Sequence, residues 1–309
     1  MPTLDFTNRK PEEELAKLPR PTNADLEKLF GVVDKVVIKD GGVFSGKALT
    51  GKVLLNIVDQ DKIQRLQTLL ELVEPTESFY CLCLGDYAIE LISDDSIKVT
   101  IGFHHGVSIR YDQWNGDAPL ARNEELLEFL AALGLTSPLE GWLESKRRNE
   151  VHQVAERDWF HNAPKCFHKY KEYMNGFGGD YLSALIEELN VEIPERETQV
   201  ITLLQTYGRS ENLWSGYPVY EEVPKYILQT FSIQEIISVY LNTDRNYKTR
   251  RGLGRFLCDF NVKKNRRKHI KHIPQEVIND LQKCFEHLDN KGGIHEVARL
   301  NRDKNKNKN

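Results

Sequence analysis

The sequence contains little cysteine and has no long apolar run. Five cysteines stand among its 309 residues, at positions 81, 83, 166, 258 and 284. An odd number of scattered thiols argues against the disulfide framework of a small secreted protein. No apolar stretch approaches the roughly 20 residues of a membrane span, and the N-terminal segment lacks the apolar core of a secretory signal. These absences predict a cytoplasmic protein with reduced thiols and no contact with a membrane.

Acidic residues are nearly absent from one segment, residues 245–271. That segment holds eleven Lys or Arg residues and a single acid, Asp259, so it carries a charge of +10. The whole chain carries −4, so the remainder carries −14. A local excess of this size indicates binding to an anionic partner or to the acidic part of the same protein.

Apolar periodicity predicts an α+β front half. Residues 34–40 and 52–59 are rich in Val, Ile and Leu and are bounded by Gly and Asp, which is typical of strands. Turn residues then separate four more strand-like runs, at Gly85-Asp86, at "SDDS" and at "HHG". We therefore predict an antiparallel four-stranded meander made of residues 79–84, 87–92, 97–103 and 107–111.

Beyond the meander, apolar residues recur at three-to-four spacing and predict helices. The fold class is therefore α+β, with helices beside the meander and an all-α domain after it. The polar C-terminal end has little to bury and is expected to be disordered. In chain order we expect an N-terminal arm 1–20, an α+β domain 21–136, a connector helix 137–162, a helical domain 163–300 and a disordered tail 301–309.

The stretch "GFHHGVSIRYDQW" concentrates polar side chains at one end of the predicted meander. Pairing of neighbouring strands brings Asp86 to the same end as His104 and His105, with Ser108 close by. A carboxylate, an imidazole and a hydroxyl in contact are the groups of a hydrolase-like triad. The competing interpretation is a three-residue hairpin loop with its glycine at positive φ and with Arg110 paired to an acid on the neighbouring strand. The loop interpretation is favoured, and catalysis by these five polar residues stays open.

The cysteines and histidines form no recognised metal-binding pattern. Cys81 and Cys83 lie two residues apart on a predicted strand that is apolar on both faces, which favours thiols buried in a hydrophobic core. Cys-x-Cys lacks the paired spacing of a zinc module, and the loose groups around Cys166 and Cys258 do not complete a ligand set. We predict no metal site and no cofactor.

The basic segment is the strongest functional signal in the sequence. Lysine and arginine neutralise phosphate groups, and neighbouring aromatic rings can stack on bases. The segment matches no known nucleic-acid-binding motif, so an acidic protein is an alternative partner. The residues predicted to bind nucleic acid or an acidic partner are Lys248, Arg250, Arg251, Arg255, Lys263, Lys264, Arg266, Arg267 and Lys268.

The loop "LWSGYPVYEEVPKY" holds four aromatic rings among prolines and a glycine. Aromatic side chains with polar tips are common in interfaces, and they also close loops over hydrophobic cores. Trp214, Tyr217 and Tyr220 are therefore candidates for an assembly interface.

Two segments together are similar to a known group of proteins. "CLCLGDYAIELI…GFHHGVSIRYDQWNGDAPL" followed by "TYGRSENLWSGYPVYEEVP" resembles a group of uncharacterised bacterial proteins. Members of that group combine a small α+β front half, with a histidine-glycine turn, and a helical back half with Trp-Ser-Gly-Tyr-Pro. The resemblance implies a two-part architecture and a bacterial cytosolic setting. It implies no activity and no role for any residue.

These observations predict a soluble, non-enzymatic binding protein that uses a basic helical surface to contact nucleic acid or an acidic partner. Two alternatives stay open: a hydrolase-like enzyme centred on the turn at His104 and His105, and an assembly module that uses the loop Trp214–Tyr226. An enzyme requires a pocket at the histidine turn, and a nucleic-acid binder requires its basic side chains on one exposed face. An assembly module requires exposed aromatic rings in the loop.

Overall fold

A six-stranded antiparallel sheet organises the first half of the chain. The computed structural model describes residues 12–75, 79–174, 180–209, 218–259 and 273–306. The strands of the sheet are β1 (Lys35–Asp40), β4 (Val53–Ile57), β5 (Tyr87–Ser93), β6 (Ser96–His104), β7 (Ser108–Arg110) and β8 (Asp117–Pro119), and a separate hairpin contains β2 (Val43–Phe44) and β3 (Lys47–Ala48). The strand order in the sheet is β4-β1-β5-β6-β7-β8, and all neighbours are antiparallel.

The chain divides into two units, residues 1–151 and 152–309. The first contains all the strands that the structure describes, and every element described after residue 151 is helical. The fold is therefore α+β. Among the described residues, no helix combines the length and the apolar character that a membrane crossing requires.

The prediction of a four-stranded meander is wrong in its first strand and in the number of strands. Its last three runs correspond to β5, β6 and β7. The first run contributes only an isolated bridge, between Phe79 and Asp117. The strands β1 and β4 extend the sheet beyond β5, and β8 adds the opposite edge.

Hydrogen bonds from elsewhere occupy the backbone groups that a first meander strand would use. The guanidinium of Arg110 donates to the carbonyl oxygens of Cys81 and Cys83, at 2.6 and 3.1 Å. The backbone N–H of Val43 donates to the carbonyl oxygen of Leu84 at 2.8 Å. Buried backbone groups need one partner each, and these carbonyls have theirs without a neighbouring strand.

Three helices pack against one face of the sheet: α2 (Asn23–Phe30), α3 (Gln60–Leu69) and α4 (Asn123–Ala132). A short helix, α1 (Glu12–Leu15), precedes them. Successive side chains of a strand point to opposite faces, so Ile101 and Phe103 of β6 lie fully buried in this core. Gly102 and His104 consequently face the other side of the sheet.

The second unit is built from helices around one hydrophobic core. Its helices are α5 (Ser137–Asn162, which spans the boundary between the units), α6 (Lys165–Lys169), α7 (Lys171–Met174), α8 (Tyr181–Glu192), α9 (Arg196–Tyr207), a 3-10 turn (Val219–Glu222), α10 (Val223–Leu228), α11 (Ile233–Leu241), α12 (Tyr247–Cys258), α13 (Gln275–His287) and α14 (Lys291–Lys306). The helices α9 and α12 approach so closely that a Cβ at Gly252 would lie 1.9 Å from the carbonyl oxygen of Leu204. Only glycine fits this crossing.

The C-terminal helix is longer than the sequence indicates. The helix α14 runs to Lys306, so residues 301–306 of the tail that we expected to be disordered are helical. Val297 and Leu300, both buried, fix this helix to the core of the second unit. The polar composition of the tail gave no sign of this anchor, because the apolar contacts lie just before it.

Core and surface positions on β6 allow a matched test of the fold. Ile101 is fully buried, whereas Ile97 on the same strand is 53% exposed. We expect Ile101→Ala to lower the free energy of unfolding by about 2–5 kcal/mol, because it removes buried methylene groups and leaves a cavity. Ile97→Ala should lower it by about 1 kcal/mol or less. Urea denaturation followed by circular dichroism measures both values, and equal losses would contradict the placement of Ile101 in the core of the first unit.

Candidate functional site

The histidine turn lies where β6 ends and β7 begins. His104, the last residue of β6, pairs with Ser108, the first residue of β7. In the loop between them, His105 and Gly106 adopt φ angles of 54° and 72°. Glycine adopts positive φ without a steric cost, which is the conformation that the hairpin-loop interpretation requires. The loop presents two adjacent imidazoles at one end of the sheet.

A cysteine-containing loop lies beside this turn and is held there by a buried ion pair. Cys81 and Cys83 flank Leu82 in a bend of the chain. Arg110 and Asp117 are partners across β7 and β8, and they form a bidentate ion pair. The Asp117 carboxylate, fully buried, also accepts the backbone N–H of Cys81 at 2.9 Å. Together with the guanidinium bonds to the two cysteine carbonyls, these contacts fix the position of the loop.

Four side-chain donor atoms meet between the loop and the turn. The Sγ atoms of Cys81 and Cys83 lie 2.9 Å apart. The Sγ of Cys83 lies 3.1 Å from Nδ1 of His104 and 3.2 Å from Nε2 of His105. The Sγ of Cys81 lies 3.5 Å from the same Nε2. The donor atoms of Cys81, Cys83 and His104 all lie within 4.8 Å of one another.

Asp86 orients the imidazole of His105. Its carboxylate lies 3.2 Å from Nδ1 of His105 and accepts the backbone N–H of the same residue at 2.6 Å. We assign a proton to Nδ1 from these contacts, and Nε2 faces the two sulfur atoms. The hydrogen bond with Cys81 raises the pKa of His105. Burial lowers this pKa, but its effect is smaller than that of the hydrogen bond, and the charge of the Asp86 carboxylate raises the pKa further.

The imidazole of His104 packs against two glycines. Its Nε2 atom lies 3.1 and 3.0 Å from the positions that a Cβ would take at Gly85 and Gly102, so a larger residue at either position would displace the ring. Burial, and after it the charge of Arg110, lowers the pKa of His104 to about 4. The ring is therefore neutral at physiological pH, which is the form of histidine that binds metal ions.

The two thiols of the cluster differ in acidity. Burial raises the pKa of Cys81, but the hydrogen bonds with Cys83 and His105 outweigh burial and hold this pKa below its ordinary value. Burial and the neighbouring Cys81 sulfur raise the pKa of Cys83 to about 11. Cys81 is therefore the more acidic thiol of the pair and loses its proton before Cys83 does.

A cavity of about 210 Å³ lies beside the cluster. Cys83 and Arg110 form part of its wall, together with the rings of Tyr80, Tyr111 and Trp114. A small molecule in this cavity would contact the loop that carries the two sulfurs. The described residues that line the cavity include neither His104 nor His105.

The predicted pairing of strands brings Asp86 to the histidine turn. In the structure, Asp86 contacts His105. Ser108 is 2% exposed within β7, and the atoms next to the His105 imidazole are the two sulfurs, not the hydroxyl of Ser108.

The prediction that Cys81 and Cys83 lie on a buried strand is wrong, because both are half-buried in a bend. The prediction of no metal site depended on that strand and on the spacing of Cys-x-Cys. The signal that the sequence analysis missed is Cys-x-Cys one residue before a Gly-Asp turn. Strand pairing places that turn at the same end of the sheet as the two histidines.

The basic residues predicted to bind an anionic partner divide between the surface and the interior. Lys248 is exposed and Arg250 is half-buried, whereas Arg251 and Arg255 are buried. Arg255 donates to a backbone carbonyl at 2.6 Å and to the carboxylate of Glu222 at 3.2 Å, so its charge is used inside the second unit. The other predicted contacts lie outside the described residues: Lys263, Lys264, Arg266, Arg267 and Lys268. An anionic partner stays a prediction that depends on them and on Lys248.

One of the three aromatic residues predicted at an interface lies in a described segment. Tyr220 is 4% exposed, and its ring packs against Trp159 and Phe160 in the core of the second unit. It is therefore a core residue. Trp214 and Tyr217 lie outside the described residues.

No family model matches the chain, and no curated protein or solved structure is detectably similar to it. Its function is therefore argued from the chemistry of the cysteine–histidine cluster.

The Arg110–Asp117 pair provides a test of how the cysteine loop is held. Asp117→Ala leaves a buried guanidinium without its counterion, so we expect the free energy of unfolding to fall by about 3–5 kcal/mol. The matched control is Asp40→Ala, which breaks an exposed pair with Lys52 and should cost about 1 kcal/mol or less. Urea denaturation measures both, and a thiol-reactive disulfide reagent should modify Cys81 and Cys83 faster in the Asp117 variant. Similar stabilities of the two variants would contradict this role of the pair.

Proposed function

We propose that the first unit binds a zinc ion through Cys81, Cys83, His104 and His105. The observation that carries the proposal is the meeting of two sulfur and two imidazole nitrogen atoms from separate parts of the chain. Thiolate and imidazole are the ligands that zinc prefers, and two of each make a common structural set.

The spacing of the donor atoms supports a tetrahedral ion. With Zn–S bonds of about 2.3 Å and Zn–N bonds of about 2.0–2.1 Å, neighbouring ligand atoms in a tetrahedral site lie about 3.3–3.8 Å apart. Four of the six separations among these donor atoms run from 2.9 to 3.5 Å, and the donor atoms of Cys81 and His104 lie within 4.8 Å of each other. Side-chain rotations that move each sulfur by about half an ångström are enough to admit the ion.

The surroundings of the cluster favour metal binding as well. Asp86 accepts the Nδ1 proton of His105, which is the carboxylate–histidine arrangement that orients many zinc ligands. The guanidinium of Arg110 binds the carbonyl groups of both cysteines, and its positive charge stabilises two neighbouring thiolates. Two thiolates balance the double charge of the ion, so the site requires no further anion.

Four protein ligands leave no open position on the ion, so the zinc in this site is structural. It joins the cysteine loop to the turn at the end of β6, next to the contacts that the Arg110–Asp117 pair makes. Binding energy of this kind adds to the stability of the folded state, because the unfolded chain offers no preformed site.

A second candidate uses the same residues without a metal. The Sγ of Cys81 lies 3.5 Å from Nε2 of His105, whose Nδ1 lies 3.2 Å from the Asp86 carboxylate. A nucleophile, a base and an orienting acid follow one another in this way in cysteine hydrolases. This is the hydrolase-like alternative with Cys81 in the place of Ser108. Turnover of an activated thioester by metal-free protein, lost in Cys81→Ser, would support it, and absence of turnover would exclude it.

Metal analysis of the purified chain tests the zinc site. We expect one zinc ion per chain, and substitution by Co²⁺ should give a thiolate-to-cobalt charge-transfer band. Cys81→Ser, Cys83→Ser and His104→Ala should each lower the zinc affinity at least about 100-fold, because each removes one of four ligands. Cys166→Ser changes a buried thiol outside the cluster and should leave the affinity unchanged. Equal binding by all four variants, or no binding by the unmodified chain, contradicts the proposal.

Asp86→Asn tests the orienting contact separately. The amide keeps the shape of the side chain but accepts the imidazole proton less strongly, so we expect the zinc affinity to fall about 10–100-fold with one ion still bound. Because protons compete with zinc for thiolates and imidazoles, affinity should also fall as the pH is lowered. Competition titrations with a chromogenic chelator measure both effects. Asp40→Asn, on an exposed carboxylate of β1, is the control.

A further inference from the structure

The two cysteines of the cluster differ from the other three in accessibility and in their contacts. Cys81 and Cys83 are half-buried, and their sulfur atoms lie 2.9 Å apart. Cys166, Cys258 and Cys284 are buried. Redox-sensing cysteines are accessible to solvent and lie next to a second thiol that resolves the first oxidation product. The pair at positions 81 and 83 has both properties.

The loop leaves the two sulfurs free to turn toward each other. Leu82, between them, is 82% exposed, so little packing opposes a small adjustment of the chain at this point. Arg110 and Asp117 hold backbone groups of the loop and not its sulfur atoms. The Sγ atoms can therefore move by rotation about the Cα–Cβ bonds while the loop stays in place.

We propose that a hydroperoxide oxidises Cys81 and Cys83 to a disulfide and that this reaction releases the zinc ion. The release depends on the zinc site proposed above, whereas the disulfide does not. The inference thus makes the zinc occupancy of the first unit dependent on the oxidant concentration.

The reaction balances with the hydroperoxide as the only oxidant. One thiolate attacks a peroxide oxygen, so that an S–O bond forms and the O–O bond breaks. The departing oxygen takes a proton from solvent and leaves as water or an alcohol. The second sulfur then attacks the sulfenic acid, an S–S bond forms, and the hydroxyl group leaves with a proton as water. Two electrons pass from the sulfurs to the peroxide, and a dithiol reductant returns them.

A disulfide cannot hold the ion, since the thiolate is the form of cysteine that binds metals. The two imidazoles that remain are half of the ligand set and bind zinc weakly on their own. Oxidation therefore removes the zinc link between the cysteine loop and the histidine turn, and reduction in the presence of zinc restores it.

Hydrogen peroxide added to the zinc-loaded, full-length protein tests the inference. A chromogenic chelator follows zinc release, and mass spectrometry follows the peptide that contains residues 81 and 83. We expect one zinc ion to leave in step with the loss of two hydrogens from that peptide, and dithiothreitol with added zinc to reverse both. The pair should be oxidised at least about tenfold faster than the three buried thiols. Cys166→Ser is the matched control and should change neither result.

Two variants separate the steps. Cys83→Ser lacks the resolving thiol, so Cys81 should stop at a sulfenic acid that dimedone traps. His104→Ala removes one ligand and keeps both sulfurs, so it should still form the disulfide. Failure of either expectation overturns the inference.

The outcomes also distinguish the two proposals. A protein that binds zinc but keeps both thiols in peroxide, or oxidises them without forming a disulfide, overturns the redox inference and leaves the zinc site supported. A protein that forms the disulfide but never binds zinc supports the dithiol chemistry and overturns both the zinc site and the release.

Discussion

The candidate site depends on the buried ion pair between Arg110 and Asp117. Asp117 is fully buried and the Arg110 side chain is 14% exposed, so removal of either charge leaves the other uncompensated. The pair binds the N–H of Cys81 and the carbonyl groups of Cys81 and Cys83, which keeps this segment out of the sheet and in a bend. The contact between the sulfurs and the histidine turn follows from that position, and so do the zinc site and the dithiol chemistry that we propose.

Much of the sheet could be predicted from the sequence, because apolar runs bounded by turn residues are local signals. The strands β1, β4, β5 and β6 lie in such runs. Residues 79–84 form a similar apolar run and yet form no strand of the sheet, because their partners are Arg110 and Asp117, 27 to 36 residues further along the chain. A local pattern contains no information about such a partner. The prediction of the site was limited in the same way. The pairing of strands indicated that Asp86 lies at the histidine turn. The predicted strand at 79–84 placed the two thiols in a hydrophobic core and not beside the histidines.

Charge in the second unit was misleading for a related reason. Arg251 and Arg255 belong to a run of basic residues that indicates an exposed face, yet both are buried. The carboxylate that pairs with Arg255 is on Glu222, 33 residues earlier in the chain. A basic run therefore indicates a binding surface only where the fold supplies no counterions of its own. Within the described ranges, Lys248 at the start of α12 is exposed and forms no ion pair.

X-ray absorption spectroscopy at the zinc edge of the zinc-loaded protein tests the central claim most directly, because it reports the ligand atoms and their bond lengths together. The account predicts two sulfur ligands at about 2.3 Å and two nitrogen ligands at about 2.0–2.1 Å, with the scattering pattern of imidazole rings. Cys83→Ser should lose one of the sulfur ligands. A first coordination shell of oxygen and nitrogen alone, or a spectrum that Cys83→Ser leaves unchanged, would contradict it.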